Sequence, residues 1–201
     1  MKKSFRYFTL SIFKNCNELS LTKAISNDEY IKSAVRNGYA SIFKESLSIS
    51  QYFNAPVGGR YERFSWWNNT QYLETVFLTS NLSNGLDSLS RHFRAKLKCN
   101  LINICISIEE DYKTGDFQWF QYIKPNGEER LIYANKEDRW IFYEEGEPLP
   151  FENKEYYKRR LIKDRLNNDI IVEYLSKMGI NLLDIDKDVA NCMTFERTAW
   201  E

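Results

Sequence analysis

Leu101-Ile102-Asn103-Ile104-Cys105-Ile106-Ser107-Ile108 is the stretch on which the fold turns. It is β-branched and mostly apolar at both alternating sets of positions, which suits a strand buried in the middle of a sheet. Before it, Leu86, Leu89, Phe93 and Leu97 recur at helical spacing behind Asn84, a good cap residue, so a helix near 85–97 hands over to the sheet. After it, Phe117-Gln118-Trp119-Phe120-Gln121-Tyr122-Ile123 and Glu129-Arg130-Leu131-Ile132-Tyr133 flank Lys124-Pro125-Asn126-Gly127-Glu128. In that linker Pro presets one turn dihedral and Gly tolerates positive φ, which predicts a hairpin. Arg139-Trp140-Ile141-Phe142-Tyr143 adds a further strand before the breakers Gly146, Pro148 and Pro150. An antiparallel meander over about 100–145 is the expected centre of the protein.

The flanks are read outward from it. Two lysines precede the apolar run at the N-terminus, but Arg6 and Lys14 break that run, so a first strand is expected there and not a signal peptide. Ser26-Asn27-Asp28-Glu29 has the capping-box spacing, and Ile31, Ala34, Val35, Gly38 and Ile42 follow at helical intervals, predicting a helix near 27–47. Pro56-Val57-Gly58-Gly59 opens a loop, residues 60–67 read as a strand or aromatic loop, and Thr70 to Leu82 as a short helix. Beyond the meander, Tyr157, Leu161, Ile162, Leu166, Ile170, Ile171, Tyr174, Leu175 and Met178 form an apolar stripe that predicts a helix over 152–178, with Gly179 as its cap. Asn167-Asn168-Asp169 is a point at which that segment can divide. The tail from Ile180 carries enough apolar residues to pack back on the core, so the whole chain, 1–201, reads as a single α+β domain with the meander packed against several helices.

Composition narrows the function. The 201 residues hold 28 basic and 28 acidic side chains, one histidine, 43% apolar and 15% aromatic residues, which excludes disordered and low-complexity classes. No stretch approaches the roughly 20 apolar residues that span a bilayer, so no membrane partner is expected. A net charge of zero removes the summed phosphate neutralisation on which general nucleic-acid binding rests. Cys16, Cys99, Cys105 and Cys192 fit reduced, partly buried thiols of a cytoplasmic protein, with Cys99 and Cys105 an even number of residues apart on one strand face, although four cysteines could also make two bridges.

Catalytic templates find no foothold. The chain has no phosphate-binding Gly-Lys-Ser/Thr loop, dinucleotide glycine fingerprint, nucleophile elbow or His-Glu-x-x-His motif. The lone His92 could pair with a cysteine in space, or be a core-edge histidine held by a carbonyl. Asp184, Asp186 and Asp188 alternate and could gather a hard cation, which supports the alternative of a small metal-assisted hydrolase or nuclease, but Lys187 opposes the cation and the glycine and terminal glutamate of an EF-hand are missing. Tyr61, Phe64, Trp66, Trp67 and Tyr72, beside Arg60 and Arg63, are the place for base stacking if nucleic acid were bound; a buried core is the commoner use of such clusters. No enzyme activity, metal or cofactor is therefore expected.

Charge and aromatic residues are unevenly spread. Residues 1–100 carry 14 basic and 7 acidic side chains and residues 101–201 carry 14 and 21, so halves of opposite sign hide in a neutral total. The candidate partner-binding residues gather in the meander: the carboxylates Glu109, Glu110, Asp111, Asp138, Glu144, Glu145 and Glu147, with the aromatic anchors Trp119, Tyr122 and Trp140, among which Phe117, Tyr133 and Tyr143 are interleaved. Aromatic rings bury large area at low rotamer cost, and carboxylates around them steer a basic partner.

This layout, and in particular Arg139-Trp140-Ile141-Phe142-Tyr143-Glu144-Glu145-Gly146 followed by the charged segment 152–178, resembles the immunity proteins of bacterial polymorphic toxin systems, contact-dependent inhibition among them. The resemblance is one of architecture and carries no residue-level motif; the neutral total charge departs from the strongly acidic members. It implies a cytoplasmic inhibitor that neutralises a cognate toxin domain, often a nuclease, by covering its active site or substrate path.

Overall fold

The computed structural model describes residues 7–52, 61–82, 84–107, 117–136, 138–182, 185 and 188–199. Nine strands among them form one sheet: β1 (Tyr7–Lys14), β2 (Ala40–Ser48), β3 (Arg63–Asn68), β4 (Thr75–Ser80), β5 (Asn100–Ser107), β6 (Phe117–Ile123), β7 (Glu129–Lys136), β8 (Trp140–Glu145) and β9 (Asp188–Arg197). Their order is β2-β9-β3-β4-β1-β5-β6-β7-β8, and every neighbouring pair is antiparallel. Four helices complete the α+β architecture: α1 (Glu18–Ser26), α2 (Glu29–Arg36), α3 (Asp87–Leu97) and α4 (Asn168–Lys177).

The alternation of strand side chains sorts the core into two layers. On one face Leu10, Ile12, Phe77, Ile102, Ile104, Phe120 and Ile132 pack with Ile171, Tyr174 and Leu175 of α4. On the other, Phe13, Phe64, Trp66, Leu78, Leu101 and Phe195 pack with Leu21 and Ile25 of α1, Ile31 and Ala34 of α2, and Phe93 of α3. The sheet is thus sandwiched through its middle. No helix among the described residues is long and apolar enough to cross a membrane.

The predicted meander is present as β5 to β8, with the turn closed by Lys124 N–H donating to Glu128 O at 2.8 Å. Gly146 ends β8 at φ +82°, where an added Cβ would stand 1.9 Å from the Glu129 carbonyl oxygen, so only glycine fits there. Elsewhere the structure corrects the sequence reading. The helix expected over 27–47 stops at Arg36; Gly38, at φ +76°, reverses the chain, and Ala40–Ser48 becomes the edge strand β2. Its cap is not Ser26 but Asp28, whose carboxylate accepts from the N–H groups of Tyr30 at 3.1 Å and Ile31 at 3.4 Å; Ser26 instead ends α1, which the sequence reading missed.

The expected helix at 70–82 is strand β4, buried at all six positions. Both faces are covered there, so no polar face exists to reveal the strand period. The expected helix over 152–178 is divided at Asn167, whose side chain caps α4 by accepting from Ile170 N–H at 3.0 Å. Its first half is two short 3-10 turns, Tyr156–Lys158 and Ile162–Asp164. The tail returns as β9, wedged between β2 and β3.

Candidate interaction surface

On the side that packs with α4 and the 3-10 turns after β8, strands β5 to β7 carry core residues, while Glu144 at the β8 edge is 41% exposed. Across these strands Ile104, Phe120, Ile132 and Glu144 stand side by side, as do Ile102, Tyr122 and Arg130. Arg130 is the electrostatic centre of this inner face. Its guanidinium, 2% exposed, donates to the fully buried Glu152 at 2.8 Å and to Glu144 at 2.6 Å, and reaches the backbone oxygens of Glu145 and Gly146. The hydrogen bonds it donates to these carboxylates hold its charge against the cost of burial. Tyr157 donates its hydroxyl to Glu152 at 2.7 Å, so the polar cluster is closed by protein groups.

The opposite face is divided. α3 covers its β1 and β5 side, and a hydrogen-bonded chain marks the boundary of that cover. Asn103 donates to Asp87 at 3.1 Å and to Gln121 at 2.6 Å, Gln121 donates to Glu129 at 2.8 Å, and Arg91 grips Glu129 through two bonds of 2.7 Å. The Arg91 guanidinium holds the Glu129 carboxyl below the usual carboxylate range, against the opposing effect of burial.

Beyond this boundary, on the same face of the meander, lies a row of aromatic residues. Trp119 on β6 stands beside Tyr133 on β7, and Tyr133 beside Tyr143 on β8. The two tyrosine rings stack with centroids 5.2 Å apart. Leu131 and Ile141 extend the row on either side, and Ile141 and Tyr143 are each 40% exposed. β8 is the outermost strand of the sheet among the described residues, and the row runs to it. Glu145 shares this face, its carboxylate accepting from the Tyr143 hydroxyl at 2.8 Å, and Asp138 and Glu147 are exposed just beyond either end of β8.

The predicted partner-binding residues are therefore not one set. Trp119 and Glu145 lie on the open face, with Asp138 and Glu147 at its ends. Tyr122, Trp140 and Glu144 lie on the opposite face: Tyr122 and Trp140 pack against the core, and Glu144 is committed to Arg130. Tyr122 donates to Asn100 Oδ1 at 2.8 Å and lines a cavity of about 360 Å³ with Lys14 and Lys177. Glu109, Glu110 and Asp111 lie outside the described residues. Tyr133 and Tyr143 are among the interleaved aromatic residues noted in the sequence, whereas Leu131 and Ile141 carry no signal there. The parity of positions 141, 143 and 145 against 140, 142 and 144 was the signal that separates them.

Other candidates are also placed. Phe64, Trp66 and Trp67 are core residues, so the base-stacking patch does not exist as a surface. His92 Nε2 lies 3.0 Å from Asp28 Oδ2, in an ion pair or hydrogen bond shared with Lys96. Among the described residues there is no group of three or more His, Cys, Asp or Glu that could hold a metal ion; Asp184 and Asp186 lie outside them, and of Asp188 only the backbone is described. Comparison with protein-family models, curated proteins and solved structures finds no match to this chain.

Proposed function

We propose that this protein is a binding inhibitor of the immunity type, which covers a basic face of a toxin domain with the open side of its meander and performs no chemistry of its own. The observation that carries the reading is the Trp119–Tyr133–Tyr143 row. The sheet is covered by helices on both faces through its middle, yet at β6 to β8 one face carries the half-buried rings of Trp119 and Tyr133 and the 40% exposed ring of Tyr143, on the outermost strand of the sheet among the described residues. Aromatic rings grouped this way bury area at low entropic cost when a partner arrives, and the carboxylates of Glu145, Asp138 and Glu147 at the rim favour a basic one.

The test is co-expression with the protein encoded by the neighbouring reading frame. Protection of growth and a one-to-one complex support the reading; a toxic neighbour that this chain neither binds nor neutralises removes it.

A further inference from the structure

The apolar layer under α4 ends in a polar cavity. Along β1 the residues on the α4 side are Leu10, Ile12 and then Lys14; along β5 they are Ile104, Ile102 and then Asn100. Lys14 and Asn100 are direct cross-strand partners, so their side chains leave the sheet together, where Lys14 reaches the C-terminal end of α4. Tyr122, on the same face of β6, joins them through its hydroxyl. With Phe151 and Met178 these residues line a cavity of about 360 Å³, room for a small organic molecule.

The polar groups of this lining are mostly donors. Lys177, also in the lining, is neutralised by Glu173 at 2.5 Å and donates to Phe151 O at 3.2 Å. Lys14 is not neutralised: its half-buried ammonium donates to Met178 O at 2.8 Å and pairs with no carboxylate among the described residues. The C-terminus of α4 would by itself repel an anion, but Lys14 occupies the Met178 carbonyl and keeps further N–H donors and its full charge. Asn100 accepts the Tyr122 hydroxyl on Oδ1 at 2.8 Å, so its oxygen is engaged, while its Nδ2 amide donates to no described group. Among the described residues no Asp or Glu lines the cavity. A positive charge and spare donors on one side, with Phe151 and Met178 on the other, complement an oxyanion attached to an apolar body.

We propose that this cavity binds a small organic oxyanion, a carboxylate or a phosphate monoester carried on an apolar or aromatic group. The oxyanion takes hydrogen bonds from the Lys14 ammonium and Asn100 Nδ2, and the apolar group lies against Phe151 and Met178. The cavity opens on the α4 side of the sheet, away from the Trp119–Tyr133–Tyr143 row, so the site is independent of how that row is used.

The test titrates the full chain with phenyl phosphate, benzoate, inorganic phosphate and benzyl alcohol by isothermal titration calorimetry. At least one of the two aromatic anions should bind one to one, at least about tenfold more tightly than inorganic phosphate or benzyl alcohol, and whichever of the two binds better tells phosphate from carboxylate. Asn100→Asp keeps an oxygen for the Tyr122 hydroxyl but replaces the amide donors with a negative charge, and Lys14→Met removes the ammonium. Each should weaken binding at least about tenfold, whereas Lys44→Met on β2 should leave it unchanged. Thermal melts check that the variants fold; if Lys14→Met does not, because α4 loses the group on its last carbonyl, Asn100→Asp decides. No binding of either anion up to about 10 mM, inorganic phosphate or benzyl alcohol binding as tightly as both, or wild-type affinity in Asn100→Asp would each overturn the proposal.

Discussion

Strands β4 and β8 are both six residues long and belong to the same sheet, yet every position of β4 is buried and none of β8 is. β4 lies between β1 and β3, with helices packed on both faces. β8 lies at the edge, with a core on one face and an aromatic row on the other. The same backbone pairing thus serves two ends. In the middle of the sheet a side chain fills space between layers, whereas on the outer face of the meander the 40% exposed ring of Tyr143 contributes less to folding. Two orders of substitution effect follow, one for stability and the reverse for binding.

The largest stability effect belongs to the doubly covered centre. Phe77→Ala on β4 removes a fully buried ring, stacked near Trp67, and should lower unfolding free energy by about 4 kcal/mol in denaturant titration. Arg130→Met comes next, and it separates the two faces of the meander itself. Removing the guanidinium leaves the buried Glu152 carboxylate without its ion-pair partner, and the loss should be about 3 kcal/mol. A loss below about 1 kcal/mol would mean that the inner face is wetter than its burial implies.

Glu129→Gln should cost about 1 kcal/mol near neutral pH. Because Arg91 depresses the folded-state pKa of Glu129, its stabilisation is complete above the ordinary carboxylate value and disappears as pH falls through the lowered one. The wild type should lose stability more steeply than Glu129→Gln when unfolding is followed from pH 6 down to about pH 3. Parallel curves would contradict that assignment. Smallest is the outer face: Ile141→Thr should change stability by less than about 0.5 kcal/mol, and Tyr143→Ala by less than about 1 kcal/mol, the contribution of its stack on Tyr133.

The division between what the sequence revealed and what it hid follows the same contrast. β6 to β8 were legible from alternation and the Pro-Asn-Gly turn, and β5 from its long β-branched run, all of them local signals. β4 was not, because a strand covered on both faces loses its polar phase and resembles a short buried helix. β2 was hidden by Ile42, which continues the stripe of α2 by arithmetic, although Gly38 breaks the helix before it. The segment after β8 has helical spacing, but Glu152 is drawn into the core by Arg130 and Tyr157, and the chain follows it in tight turns until Asn167 caps α4. For the surface, composition located the acidic and aromatic meander, but choosing its functional side required strand parity, and parity is known only once the register is. Residues 140, 142 and 144 therefore read the same as 141, 143 and 145 until the 3-10 turns Tyr156–Lys158 and Ile162–Asp164 are seen to pack on one set.

The most direct test compares the two edges of the sheet in binding the neighbouring reading frame's product. Ile141→Asp with Tyr143→Asp on β8 is measured beside Ser41→Asp with Lys44→Glu on the opposite edge strand β2, both checked for unchanged folding. The β8 double variant should weaken affinity by about 100-fold or more, and the β2 variant should bind as the wild type does. Equal affinities for the wild type and both variants, or loss confined to the β2 variant, would contradict the assignment of the meander's outer face as the working surface.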